Sequence, residues 1–157
     1  MPNTIKMTVK QALLDNLKLI LNDVKQAAEK AHLAAIDEQS VAETQYDTLA
    51  IEAAYLAEGY SRRINELSQA ITLVSHLSVE QTETIQLGAL VKLAGQSVDY
   101  FIAPAGAGIT FTIESINIAV LSPQSPIGKA MLSHEAGDVI TVTINQKEVV
   151  YEVIDVQ

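Results

Sequence analysis

Two hydrophobic periods divide the chain. From about residue 8 to 77, apolar or small residues recur at helical spacing. From about residue 85 to 157, they fall in short runs broken by turn residues. In the first half, Leu13, Leu17, Ile20, Val24, Ala27, Ala31 and Ala34 are separated by alternating steps of four and three. That is the spacing of a coiled-coil seam. A second seam runs through Tyr46, Ala50, Ala53, Ala57, Tyr60, Ile64, Leu67 and Ile71. Extending the first seam in phase lands on Glu38, Val41, Gln45, Thr48 and Glu52. Most of these are polar, so the two seams are not one straight helix.

A hairpin reconciles them, because facing residues of an antiparallel pair share one sum of residue numbers. Leu13 with Ile71, Leu17 with Leu67, Ile20 with Ile64 and Val24 with Tyr60 all give 84; so do Ala27 with Ala57, Ala31 with Ala53 and Ala34 with Ala50. The turn then falls in Asp37-Glu38-Gln39-Ser40-Val41-Ala42-Glu43. Ser40 and Glu43 fit the S-x-x-E capping box, in which each side chain bonds the other residue's backbone N–H. This predicts a second helix starting near Val41. The base of the hairpin pairs Leu with Ile, each buried side chain contributing roughly 1.5–3 kcal/mol. The far half pairs Ala with Ala and buries little. About thirty residues at 1.5 Å each make a rod of roughly 45 Å.

In the second half, strands are expected at Ala89–Leu93, Val98–Ala103, Ile116–Val120, Val139–Ile144 and Val149–Val156. Gly95-Gln96-Ser97, Gly106-Ala107-Gly108, Gly137-Asp138 and Asn145-Gln146-Lys147 are the turn signals between them. Ser125 followed by Pro126 is an N-cap and first-turn pair, predicting a short helix over Pro126–Leu132. The fold class is therefore α+β. An antiparallel two-helix coiled coil fills residues 1–78, a joint follows near 78–84, and a small β-sheet domain with one short helix fills 85–157.

Composition narrows the function. The chain has 157 residues, a net charge of −9, no cysteine, no tryptophan and 4% aromatics. The acidic balance argues against independent DNA binding. The aromatic scarcity argues against a stacking platform or a large aromatic pocket. No cysteine means no thiolate chemistry or Cys-based zinc site. Neither a signal peptide nor a membrane-length apolar run is present, so a soluble cytoplasmic protein is expected. Pro104-Ala105-Gly106-Ala107-Gly108 lacks the Gly-Lys-Ser/Thr ending of a phosphate loop and reads as a connection. His32, His76 and His134 have no ligand spacing. Arg62-Arg63 reads as a solvated face or a contact to RNA. Gly59, inside a helix, suggests close packing there.

Several stretches together resemble the Gre family of bacterial transcription elongation factors. They are Ser122-Pro123-Gln124-Ser125-Pro126-Ile127-Gly128-Lys129-Ala130-Met131-Leu132, Glu135-Ala136-Gly137-Asp138 with the strand after it, and Tyr151-Glu152-Val153-Ile154. Tyr46, Glu58-Gly59 and Ile64 to Leu67 are similar to the family's second helix. The resemblance implies that the C-terminal domain is FKBP-like and binds RNA polymerase at the rim of the secondary channel. Ser122, Gln124, Ser125, Pro126 and Ile127 are the binding positions it implies. The coiled-coil tip would then reach toward the active site. There Asp37, Glu38 and Glu43 would help hold Mg²⁺ of the polymerase and activate water for cleavage of backtracked nascent RNA. Hard cations take oxygen ligands, and a second metal supplies the nucleophile. The isolated protein would be a monomer that binds no cofactor and is no enzyme itself.

The tip departs from the family's run, Gly-Asp-Leu-Ser-Glu-Asn-Ala-Glu-Tyr. Aligning Ser40 puts Glu38 and Val41 in the two acid slots; aligning Tyr46 puts Gln39 and Ala42 there. A channel-binding regulator or inhibitor without cleavage stimulation is therefore an alternative. An FKBP-type prolyl isomerase would need an aromatic floor built from Tyr100, Phe101, Phe111 and Tyr151. A plain dimerising hairpin is a further alternative.

Overall fold

The computed structural model describes residues 3–41 and 46–157. Helix α1 spans Thr4–Val41 and α2 spans Tyr46–Ser75. Strands β1 (Leu90–Leu93), β2 (Asp99–Ile102), β3 (Thr110–Ile113) and β4 (Ile116–Leu121) follow. Then come α3 (Pro126–Met131), β5 (Val139–Ile144) and β6 (Lys147–Val156). The chain divides into two compact units. One is Leu17–Ile71; the other joins the segment ending at Asn16 to Thr72–Gln157.

Within the arm, Leu17–Ile71, burial follows the expected seam. Leu17 and Leu67 are buried, and Ile20, Val24, Tyr60 and Ile64 are half-buried. Ala31 and Ala53 are half-buried, while Ala34 and Ala57 are exposed. A crevice is lined from α1 by Ala28, Ala31 and His32 and from α2 by Glu52, Ala53 and Leu56. The later part of α1 thus faces the earlier part of α2, as in an antiparallel pair. One expectation fails. Ser40 and Val41 are the last residues of α1, and α2 begins at Tyr46. Ser40 therefore does not cap the second helix. The run from Asp37 to Val41 has no Gly or Pro to stop α1, so it carries the helix onward. Glu43 lies outside the described residues.

In the other unit, Asn3 caps α1. Its Oδ1 accepts from the backbone N–H of Ile5 at 3.0 Å and of Lys6 at 3.2 Å, satisfying two otherwise orphaned donors. Its Nδ2 donates to Gln81 Oε1 at 2.7 Å and to Gln157 Oε1 at 2.9 Å. The same amide thus joins the helix start to the joint segment and to the end of the sheet strand β6.

The sheet has six strands in the order β3-β4-β2-β1-β6-β5. All neighbours are antiparallel except β2 and β4, which pair in parallel with Phe101 beside Val120. One face carries Val91, Ile102, Ile140, Val142 and Val153, packed with Ile85, Met131 and, from α3, Ile127 and Ala130. Leu90, Phe101, Ile118 and Val120 alternate onto the opposite face and are equally buried. Tyr100 and Tyr151 lie with the first face; Phe101, beside Val120, and Phe111, beside Ile118 on the far side of β4, lie on the other. The four aromatics an isomerase floor would need are thus split between the two faces.

Strand β3 was not expected. It forms a hairpin with β4 through Glu114 and Ser115, both at positive φ (49° and 71°). Paired positive φ values are those of a type I′ turn, which usually announces itself by Asn-Gly. The β5–β6 hairpin uses the same device at Asn145 and Gln146 (52° and 65°).

Candidate functional site

The turn between β4 and α3 is built by its serines. Ser122 O accepts from the Ser125 backbone N–H at 3.2 Å and from its hydroxyl at 2.8 Å. Ser125 Oγ in turn accepts from the Gly128 N–H at 3.1 Å, capping α3. Ser122 Oγ accepts from the Gln124 N–H at 3.1 Å, tightening the loop. Pro126 stands in the first helical turn, where a missing N–H costs nothing. Gly128 is fixed by contact rather than conformation, since a Cβ there would collide with the Ser122 carbonyl.

This geometry sorts the five residues named for docking. Gln124 and Pro126 are exposed. Ser122 and Ser125 are half-buried and occupied in shaping the turn. Ile127 is half-buried against the core cluster. The turn thus presents an amide and a rigid ring on a scaffold held from behind.

The loop from Ser133 to Asp138 is pinned beside the joint. Ile85 N–H donates to His134 O at 2.9 Å, and Ser133 N–H donates to Ile85 O at 2.9 Å. Asp138 Oδ2 accepts from the Glu135 N–H at 2.8 Å and lies 3.3 Å from His134 Nδ1. The backbone hydrogen bond, aided by the His134 side chain, holds the Asp138 carboxyl below its ordinary range. Gly137, at φ 94°, donates to Val153 O at 2.7 Å and so ties the loop to β6.

Two lysines that charge patterning would place at the surface do structural duty. Lys10 Nζ donates to Leu77 O at 2.8 Å, where α2 has just ended. A cation there complements the helix C-terminus. Lys6, one turn earlier, is fully buried and donates to Glu80 O at 2.7 Å. Burial lowers its pKa to about 8. No sequence signal marks this, because the acceptor is a backbone carbonyl brought close only by the fold.

At the arm's far end, Asp37 is exposed on α1, one turn before the helix ends. Glu38 is the next α1 residue; its side chain, like all of Glu43, lies outside the described part. Among the described residues, no group of three or more His, Asp or Glu could hold a metal ion. His32 lines the arm crevice, His76 Nδ1 lies 2.8 Å from Thr72 O, and His134 partners Asp138. Arg62 and Arg63 pair with Glu58 and Glu66 at 3.6 and 3.5 Å on an exposed face. The loop holding Gly106 packs against Leu13 Cδ1. At Gly59 an added Cβ would meet nothing within 4 Å, so among the described residues of the arm no close packing explains it. A glycine inside an exposed helix costs about 1 kcal/mol relative to alanine. No described helix is long and apolar enough to cross a membrane.

Residues 80–157, which hold the serine-built turn, the pinned loop and the whole sheet, match the family model described as transcription elongation factor GreA/GreB, C-terminal. Residues 80–157 thus form a domain of the Gre C-terminal family. The chain is 22% identical over 148 residues to transcription elongation factor GreA of Acetivibrio thermocellus, covering 92% of this chain and 87% of that one. Among solved structures, GreA factor homolog 1 (Gfh1) of Thermus thermophilus is 21% identical, with a TM-score of 0.38 over 92% of this chain and 94% of that one. Gfh1 of Thermus aquaticus is 20% identical, also with a TM-score of 0.38, over 94% and 95%. The serine turn and α3 lie within this matched domain.

Proposed function

We propose that this chain is an accessory factor of RNA polymerase, docking at the secondary channel through its C-terminal domain and directing the α1–α2 arm toward the active site. The observation that carries this is the Gre C-terminal match over residues 80–157, which contains the Ser122–Ile127 turn. In this reading Gln124 and Pro126 make the contact, and Ser122, Ser125 and Ile127 hold them in place. The arm's far end brings Asp37, Glu38 and Glu43 to the polymerase, whose own Mg²⁺ performs the chemistry. Carboxylates suit that role because they supply hard oxygen ligands and accept a proton from attacking water. The protein completes a site owned by its partner and is not itself an enzyme.

The test uses backtracked polymerase complexes with Mg²⁺. Shortened nascent RNA on adding the protein is the expected result, abolished together by Asp37→Ala, Glu38→Ala and Glu43→Ala. A second reading, a channel-binding regulator without cleavage stimulation, is favoured by the tip sequence, where Val41 or Ala42 stands in an acid position. Binding without RNA shortening would select it. Failure to bind polymerase would remove both.

A further inference from the structure

Strand β5 forms one edge of the sheet, and its sequence does nothing to guard it. All its residues, Val139–Ile144, are β-branched; none is a proline, a glycine or charged. Sheet edges that stay unpaired normally carry a charge, a proline or a bulge. The hairpin fixes which backbone groups are free. Val153 N–H donates to Asp138 O at 2.8 Å, and the turn at Asn145 and Gln146 closes the pair Ile144–Lys147. Bonding to β6 therefore falls on every second residue, at Ile140, Val142 and Ile144. The N–H and C=O groups of Val139, Thr141 and Thr143 point outward. Among the described residues, no hydrogen bond from outside the sheet reaches them.

The sheet face beside this edge is acidic and apolar by turns. Glu148, Val150 and Glu152 alternate along β6 on the same face as their register partners Thr143, Thr141 and Val139. All six are exposed, Val139 by 60% and Val150 by 61%. Neither carboxylate has an ion pair among the described residues. Lys147, the hairpin's own base, alternates onto the opposite face. Strand spacing puts Glu148 and Glu152 roughly 10 Å from a strand added at the β5 edge. Thr143 and Val139 are short, so a lysine or arginine on that strand passes over them. Reaching from opposite sides, a basic side chain and a glutamate close the gap together.

We propose that β5 is a strand-addition site for an extended segment of a partner protein. The segment pairs with the backbone of Val139, Thr141 and Thr143. At alternate positions it presents a basic, an apolar and a basic side chain to Glu152, Val150 and Glu148. The outward backbone groups select an extended chain, and the two carboxylates flanking a valine select the basic–apolar–basic order. A second copy of β5 does not meet that requirement, because on this face it offers Val139, Thr141 and Thr143 and no cation. The site shares no residue with the Ser122–Ile127 turn and does not rest on the polymerase reading.

Amide exchange of the full chain, followed by nuclear magnetic resonance with the peptide Thr-Lys-Thr-Val-Thr-Lys-Thr, tests this. The amides of Val139, Thr141 and Thr143 should slow on adding peptide, while those of Ile140, Val142 and Ile144, already bonded to β6, should change little. Binding should weaken as salt rises. Glu148→Gln and Glu152→Gln should each weaken it about two- to fivefold. E148K/E152K should lose the lysine peptide and take up its glutamate counterpart. Thr141→Pro removes an outward N–H without touching the β6 ladder, so binding should be lost while thermal unfolding stays close to wild type. Three outcomes would overturn the proposal. One is no protection of the edge amides at about 1 mM peptide, a ceiling for weak association. Another is equal binding of a peptide whose two lysines are adjacent. The third is protection of the same amides by raised protein concentration alone, which would assign the edge to a second copy. Because the readout is amide exchange, a failed polymerase assay leaves this result untouched.

Discussion

Lys6 Nζ donates to the carbonyl oxygen of Glu80 across 2.7 Å, from a side chain with no exposure to solvent. Desolvation of the ammonium lowers its pKa from 10.5 to about 8. The unfolded chain keeps that proton until pH rises past 10.5, whereas the folded protein releases it near 8. Between those values the unfolded state binds more protons, so this group makes the protein more stable as pH rises, by up to about 3 kcal/mol. Urea unfolding at pH 7.5 and 9.5 should show the wild type gaining on Lys6→Met over that interval. Parallel pH profiles for the two proteins would mean that Lys6 titrates normally.

In the serine turn, folding can be tested apart from the proposed docking. Gly128→Ala drives a methyl into the Ser122 carbonyl and should cost about 3 kcal/mol. Ser125→Ala removes the α3 cap and should cost about 1 kcal/mol. Gln124→Ala and Pro126→Asn, at exposed positions, should leave the melting temperature nearly unchanged and weaken polymerase binding. Unchanged affinity in both would place the docking surface elsewhere.

For Gly59→Ala the expectation runs the other way. Nothing lies within 4 Å of the added methyl, so α2 gains helix propensity without a clash. At concentrations where the chain is monomeric, thermal unfolding should show a gain of about 1 kcal/mol. A loss would reveal an unrecognised constraint on the backbone at that position.

Asp138 offers an acid-side counterpart to Lys6. The Glu135 N–H bond and the neighbouring His134 keep its carboxyl ionised to lower pH than in the unfolded chain. Its stabilising contribution is therefore present above the ordinary carboxylate range and lost as pH falls through the lowered value. Asp138→Ala should be less stable than wild type at pH 7, and the difference should shrink as pH falls below the ordinary carboxylate range. A difference that does not change with pH would assign the effect to loop shape instead.

The two long helices of the arm were legible in the sequence because their information is periodic: two seams out of phase with each other require two helices rather than one. Strand β3 was hidden because Glu114 and Ser115 adopt positive φ without the Asn or Gly that signals such a turn. The misplaced helix boundary has a related cause. Ser40 and Glu43 carry a capping pattern, yet no residue before them stops α1, and continued helix prevails through Val41. Helix α3 was legible from Ser125 and Pro126, whose local capping chemistry is sufficient. Lys6 was not, because its burial depends on a carbonyl contributed from 74 positions away.

Helix α1 contributes its first turns to the sheet-bearing unit and the rest of its length to the arm. During synthesis, Asn3 and Leu13 leave the ribosome long before Gln157 and the Gly106 loop that they meet. The α1–α2 pair can zip once both helices have emerged. The sheet-bearing unit can close only once β6 has emerged, because β1 needs β6 as a neighbour. Until then Val9, Leu13 and Leu14, at the head of α1, remain uncovered, which makes the nascent chain a natural client for a chaperone.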